Sequence, residues 1–346
     1  MFRNKNRTPN FNYFIKALKR EPTPRPVLFE FIISEDKERY LLKDKFVNET
    51  EFDRVKSTIL AFDSAGYDFS PIIVRGLTFP RNEGDNPHAQ TKSLNVGNMI
   101  KDWPSFNSYQ WPEIGSCDFS IIKEAGKYLH PDAKFIPFSF DGILENVIGI
   151  VGYDTLCYLL YDDRKLVEAI FKEVGKRMKQ YFIECLKYDE VGAILCNDDW
   201  GFNTQTMLAP DDLREFVFPW YREIVAEAHK RGKYAILHSC GYYRDIKKDI
   251  IEVMKFDGKH SYEDNIVKIE EAYDELSDKI AVVGGIDINF LATETPEKVY
   301  ERCRKMLEKS KAKGGYILGS GNSIPEYIPL ENYKAMLKAA NDGYDQ

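Results

Sequence analysis

Residues 191–241 read VGAILCNDDWGFNTQTMLAPDDLREFVFPWYREIVAEAHKRGKYAILHSCG. The stretch opens and closes on short apolar runs, Val191–Cys196 and Tyr234–His238. Near-continuous apolar runs of this length fit strands covered on both faces, as in a parallel sheet. Between them Pro210-Asp211-Asp212 starts a helix, because proline suits the first turn and carboxylates suit the positive end of the helix dipole. Leu213, Phe216, Val217, Trp220, Ile224, Val225 and Ala228 then recur at three- and four-residue steps and make one apolar stripe. Lys230-Arg231-Gly232 ends the helix with positive charge and a glycine cap. The unit is strand, helix, strand.

The same alternation runs outward in both directions. Pro26–Ile33, Ser70–Val74 and Phe135–Phe140 precede the unit, and Met254–His260, Ile280–Gly284 and Gly315–Leu318 follow it. Helical segments separate them, such as the one begun by Thr295-Pro296-Glu297 and the last, from Pro329, with Tyr333, Met336, Leu337 and Ala340 on its apolar side. Eight strands alternating with helices predict an α/β fold, a (β/α)8 TIM barrel, as a single domain over residues 1–346. A doubly wound sheet is the alternative, but its usual glycine-rich first turn is replaced here by Ile33-Ser34-Glu35-Asp36. Residues 75–116, rich in Gly, Pro, Asn and aromatics, predict a long insertion after the second strand that forms a rim or lid. Trp103, Phe106, Tyr109 and Trp111 within it either pin the loop to the barrel or wall a pocket.

Charge and cysteine usage narrow the class of partner. Lys plus Arg is 48 and Asp plus Glu is 55, a net charge of −7, which gives no general attraction to nucleic acid or an anionic membrane. No apolar run approaches the roughly 18–20 residues that span a bilayer. The basic start, Met1–Arg7, is not followed by the apolar core of a signal peptide. The six cysteines (117, 157, 185, 196, 240 and 303) include no CxxC pair, as expected of buried thiols in a reducing compartment. These features predict a cytoplasmic protein with a small-molecule substrate.

A barrel carries its chemistry at the C-terminal ends of its strands. There the sequence places Glu35, Arg75, Asp141, Glu145, Asn197-Asp198-Asp199-Trp200, His238-Ser239-Cys240, His260, Glu263, Asp287 and Ser320-Gly321-Asn322. His238-x-Cys240 is the sharpest element, because an imidazole and a thiolate two residues apart suit a tetrahedral zinc ion. The alternative is a buried structural cysteine beside a hydrogen-bonded histidine. Further ligands are sought among Glu263, His260, Asp198, Cys196, Ser320 and Asn322. Asp198 and His260 are candidates for proton transfer. Arg75, Glu145, Trp200 and Asn322 are candidates for substrate contact. Asp199 reads equally as a cap of the next turn. Gly284-Gly285-Ile286-Asp287 and Gly319-Ser320-Gly321-Asn322 are compatible with phosphate-cradling loops or with close packing at a barrel corner. His88 reads as a surface residue.

Four blocks carry a family resemblance: Asp198-Asp199-Trp200-Gly201 with Met207-Leu208-Ala209-Pro210; His229-Lys230-Arg231-Gly232-Lys233 with His238-Ser239-Cys240-Gly241; Gly284-Gly285-Ile286-Asp287; and Gly315–Gly319 through Pro329-Leu330-Glu331-Asn332. In order and spacing the chain resembles the uroporphyrinogen decarboxylase superfamily, more closely its methyltransferase-like branch than the decarboxylases. The resemblance implies a (β/α)8 barrel. Two departures bear on activity. The decarboxylases grip porphyrinogen carboxylates with an arginine-rich stretch after the first strand. Here Phe29-Glu30-Phe31-Ile32-Ile33-Ser34-Glu35 has no arginine and carries carboxylates, which repel a polyacid. The methyltransferases resemble zinc enzymes with His-x-Cys and a later cysteine, and Gly321-Asn322-Ser323 holds none. The resemblance therefore implies zinc on His238, Cys240 and an oxygen ligand, first of all Glu263. The implied activity is a zinc-dependent methyltransferase, moving methyl from a small methoxy- or amine-type donor to or from the cobalt of a separate corrinoid protein. A decarboxylase-like lyase and a non-catalytic corrinoid-binding member are the rival readings.

Overall fold

The structure, a computed structural model, describes residues 7–81, 94–95 and 98–343. His88, expected at the surface, lies outside these residues, as does part of the 75–116 insertion. Seven of the apolar runs form strands: β1 (Phe69–Ile72), β2 (Lys134–Pro137), β3 (Ala193–Asn197), β4 (Tyr234–His238), β5 (Gly258–His260), β6 (Ala281–Val283) and β7 (Tyr316–Ile317). All pairings are parallel, β1 with β2 and then β3 through β7 in chain order. Bridges from Phe135 to Val191 and from Phe138 to Leu195 join β2 to β3.

The first apolar run enters beside β7 as an extended segment, through bridges from Leu28 to Leu318 and from Ile33 to Ile324. It makes no continuous ladder, and the reason is chemical. Between the two bridges the Ser320 N–H donates to the Glu30 carboxylate at 2.6 Å, where a backbone carbonyl would serve in a regular strand. Phe29 stacks on Phe69 of β1 with ring centres 5.5 Å apart and packs the remaining seam. The eight parallel segments thus make the (β/α)8 barrel, with Ala193, Ile194, Leu195 and Cys196 of β3 fully buried as their unbroken apolar pattern requires.

The register of the sheet positions the site. Asn197 pairs with His238, and His238 pairs with His260. Side chains at the ends of β3, β4 and β5 therefore lie side by side.

The helix after β3 departs from the expected uniform pattern. Pro210–Asp212 is α-helical, Leu213–Val217 is a wider π turn, and Phe218–Lys230 is α-helical again. Pro219 lacks the N–H that a regular turn would donate there, so the wider turn accommodates its ring. In the described part of the insertion the aromatics pin the loop. Trp111 touches Phe106, Tyr109 and Phe79, the Tyr109 hydroxyl donates to Pro80 O at 2.6 Å, and Arg177 sits 5.3 Å from the Trp111 ring centre. No single helix among the described residues is long and apolar enough to cross a membrane.

Candidate active site

The β4 end carries His238, and the loop after it carries Cys240. The two donors face one another, with His238 Nε2 3.6 Å from Cys240 Sγ. Asp199, two residues past β3, joins them. One ligand atom from each of Asp199, His238 and Cys240 lies within 4.8 Å of the other two, the compact donor set among the described residues. The register explains this, since a pairing of Asn197 with His238 brings the next outward-facing pair, Asp199 and Cys240, together. The Cys240 N–H donates to Asp199 Oδ1 at 2.7 Å and fixes the loop. Gly241 follows with φ +82°, and a Cβ there would meet the Gly201 carbonyl oxygen at 2.0 Å, so only glycine lets the two loops touch.

The donor set fits zinc. Bonds of about 2.0–2.1 Å to nitrogen and about 2.3 Å to sulfur at tetrahedral angles put those donors about 3.6 Å apart. The observed spacing matches this edge. Asn322 Nδ2 donates to Cys240 Sγ at 3.4 Å, and the thiol in turn donates to Ser261 Oγ at 3.7 Å, whose own hydrogen goes to the Gly321 carbonyl. Burial, with the carboxylates of Asp199 and Glu263 nearby, holds the Cys240 thiol well above its ordinary range and hence protonated when nothing cationic is bound.

Behind His238 the polar groups run inward. His238 Nδ1 lies 2.7 Å from His260 Nδ1, and His260 Nε2 lies 3.0 Å from the Ser320 carbonyl oxygen. Ser320 gives its N–H and its hydroxyl to the two oxygens of Glu30, at 2.6 and 2.7 Å. The rings of Phe29 and Phe31 pack on these histidines. Burial pushes His238 down to about 3, keeps His260 far below the ordinary imidazole range, and pushes Glu30 up to about 8. Lys259 is fully buried beneath the same rim and donates to the carbonyls of Ser239 and Ser261 at 3.1 and 2.5 Å, between the rings of Tyr243 and Tyr262. Burial lowers its pKa to about 8.

The predicted residues divide into those at the cluster and those away from it. His238, Cys240 and Asn322 are brought together. Glu263 is half-buried and close enough to raise the Cys240 thiol, but Asp199 rather than Glu263 completes the compact set. Glu263 and Asn322 line a polar cavity of about 490 Å³ with Asn203, Tyr262, Asp287 and Asn289. Glu145 is buried beside Asp198 and Asp199, accepts the Gly142 N–H at 2.9 Å, and has its pKa raised by burial and then by Asp199.

Asp198, expected to transfer protons, is fully buried and saturated. It accepts from the Leu144 and Glu145 N–H groups, the Trp200 indole at 2.8 Å and the Tyr221 hydroxyl at 3.0 Å. Two of those donors belong to the first turn of helix Ile143–Val151, so Asp198 caps it across the barrel. Trp200, expected on substrate, is fully buried against Phe218 and Tyr221. His260 is likewise buried behind His238 and does not reach the mouth. Arg75 pairs with Glu51 at 3.2 Å and borders a different cavity with Phe31, Phe138 and Phe140. Of the two readings of the glycine loops, packing accounts for Gly284. Its φ is +68°, and a Cβ would lie 2.3 Å from the Ser320 carbonyl oxygen and 2.6 Å from the His260 ring. Asp287 caps helix Ile288–Thr293.

In the sequence Asp199 reads equally as a functional carboxylate and as a turn cap, and Lys259 does not stand out. Aligning the ends of the β3 and β4 runs pairs Asp199 with Cys240 and would have found the first. The lysine's only sign is a cation inside an apolar run, Met254–His260.

The architecture defines a (β/α)8 barrel, with a cluster of polar groups gathered at its strand ends. Within that class the family model for uroporphyrinogen decarboxylase (URO-D) matches residues 142–343, and the chain belongs to that family. A curated uroporphyrinogen decarboxylase of Anaeromyxobacter dehalogenans (strain 2CP-C) is 29% identical over 359 residues, covering 95% of this chain and 97% of the relative. One of Solibacter usitatus (strain Ellin6076) is 23% identical over 139 residues, 39% of this chain and 38% of the relative. A solved methyltransferase from Methanosarcina mazei superposes with a TM-score of 0.72 at 18% identity, over 99% of both chains, and shares the fold.

Proposed function

We propose that the chain is a zinc-dependent methyltransferase that moves a methyl group between a small methylated substrate and a corrinoid protein, in the cytoplasm. The observation that carries the reading is the 3.6 Å contact of His238 Nε2 with Cys240 Sγ, joined by Asp199. His238, Cys240 and Asp199 would hold the ion, with Glu263 at hand from the cavity side. Zinc supplies Lewis acidity, which stabilises negative charge developing on the substrate heteroatom. The chain's own groups do the rest. Burial and Asp199 raise the Glu263 carboxyl, which faces the cavity and can give a proton to the departing heteroatom. We assign that work to Glu263 rather than to the saturated Asp198. Asn322 lines the same cavity and orients the substrate. The half-reaction transfers CH3 as a cation equivalent: the heteroatom keeps the bonding pair and gains the proton, and a reduced cobalt supplies the pair of the new bond.

The rim also disfavours a polyacid. Glu263 and Asp287 line the cavity, and Arg75 is engaged with Glu51. The competing lyase reading draws support from the curated relative at 29% identity. Purified protein, zinc-loaded, is incubated with free cob(I)alamin and a panel of methoxylated aromatics, methylamines and methyl thioethers, and methylcobalamin is followed by absorbance. Methyl transfer that disappears in the H238A/C240A double variant supports the proposal. Inactivity across the panel, with decarboxylation of uroporphyrinogen by the same preparation, overturns it.

A further inference from the structure

A carbonyl oxygen can only accept a hydrogen bond, and this determines a chain of protons leading to the site. The Ser320 carbonyl lies 3.0 Å from His260 Nε2, so that nitrogen carries the hydrogen. A neutral imidazole has one N–H, so His260 Nδ1 is a lone pair. Its partner at 2.7 Å is His238 Nδ1, which therefore carries the hydrogen. His238, also neutral, is left with a lone pair on Nε2, the atom that faces Cys240 Sγ. At the far end Glu30 takes both Ser320 donors, one per carboxylate oxygen, and so holds the residue whose carbonyl starts the sequence.

We propose that Glu30, Ser320 and His260 are positioning residues: together they set the Nδ1–H tautomer of His238 and present its Nε2 lone pair to the metal position. None of the three reaches the cavity mouth, as Glu30, His260 and Ser320 are all fully buried. A buried structural histidine would need only to have its two nitrogens satisfied. Here the pairing of two imidazoles has a direction, set by one carbonyl. Both rings are buried and hydrogen-bond to an imidazole, a thiol and a carbonyl rather than to a carboxylate, so nothing in contact with them compensates a positive charge. An outer partner that fixes the ring of a metal-binding histidine commonly affects metal affinity by about 10–100-fold.

The inference rests on the metal reading only for its second readout. The first uses metal-free protein labelled with 15N-histidine. The expected result is a through-hydrogen-bond coupling between two ring nitrogens, with one partner ring protonated at Nδ1 alone and the other at Nε2 alone. A missing Nδ1–Nδ1 coupling, or a His238 protonated at Nε2, overturns the proposal. The second readout is zinc affinity by chelator competition. H260L is expected to weaken binding by about 10–100-fold. H260N restores most of it, since the amide oxygen falls near the former Nδ1 and still accepts from His238. H260N binding as weakly as H260L also overturns the proposal. Should H260L fail to fold, the coupling and the comparison of H260N with the unaltered protein decide. If the unaltered protein binds no zinc at all, the metal reading fails while the tautomer measurement still judges this inference.

Discussion

Asp199→Asn separates the two carboxylates that the proposed zinc site offers. The amide keeps an oxygen where Asp199 Oδ1 accepts the Cys240 N–H at 2.7 Å, so the loop geometry is retained and only the anionic donor is lost. Removing an outer-shell partner costs about 10–100-fold in metal affinity, and a direct donor should cost at least the upper figure. At about 1.4 kcal/mol per tenfold, a hundredfold loss is about 2.8 kcal/mol. Glu263→Gln, outside the compact set, should cost about tenfold or less by the same scale. The metal-free protein provides the control. Burial raises the Asp199 carboxyl, so its charged form is disfavoured in the fold, and its removal should leave the melting temperature unchanged or higher. The assay is competition of zinc-loaded protein against a chromophoric chelator, with both variants at one pH. An E263Q loss equal to or greater than the D199N loss would refute the assignment of Asp199.

Zinc binding should expel the Cys240 proton, since burial and the adjacent carboxylates keep that thiol protonated without a cation. Calorimetry in buffers of different ionisation enthalpy should show about one proton released, and affinity rising about tenfold per pH unit near neutrality. G284A should destabilise the protein by about 2–5 kcal/mol, combining left-handed backbone strain with overpacking against the His260–Ser320 contact; denaturant unfolding reads it directly. Glu30 is raised from 4.5 to about 8, so between those values the folded chain keeps a proton that the unfolded chain has lost. Its contribution is full below about pH 4.5 and falls as pH rises towards 8, by up to about 1.4 kcal/mol per unit. E30Q should flatten that slope in unfolding curves taken from pH 5 to 8, and an unchanged slope would count against a buried, protonated Glu30.

Much of the barrel was legible because its strands announce themselves. Ala193 to Cys196 is an unbroken apolar run that only a doubly covered strand needs, and Pro210 with Gly232 brackets the following helix. The interruption beside β7 was not legible, because nothing local says that Glu30 will turn inward and take the Ser320 N–H in place of a ladder bond. His238 and Cys240 could be read as a pair because two-residue spacing on one chain is local information. Asp199 entered through register, which depends on how two distant runs align, and its position after a carboxylate made a turn cap an equally good reading. Asp198 illustrates the opposite failure: the sequence shows an acid at a strand end, but only packing reveals four donors already on it. Trp200 was misplaced for the same reason, since an aromatic at a rim can face either the mouth or the wall.

X-ray absorption at the zinc edge, on protein purified without added metal and then given one equivalent of zinc, bears most directly on the proposed zinc site. The expected shell has one sulfur at about 2.3 Å and nitrogen and oxygen donors at about 2.0–2.2 Å, and the sulfur is lost in C240A. A shell without sulfur, or a protein that retains no zinc after desalting, would contradict it.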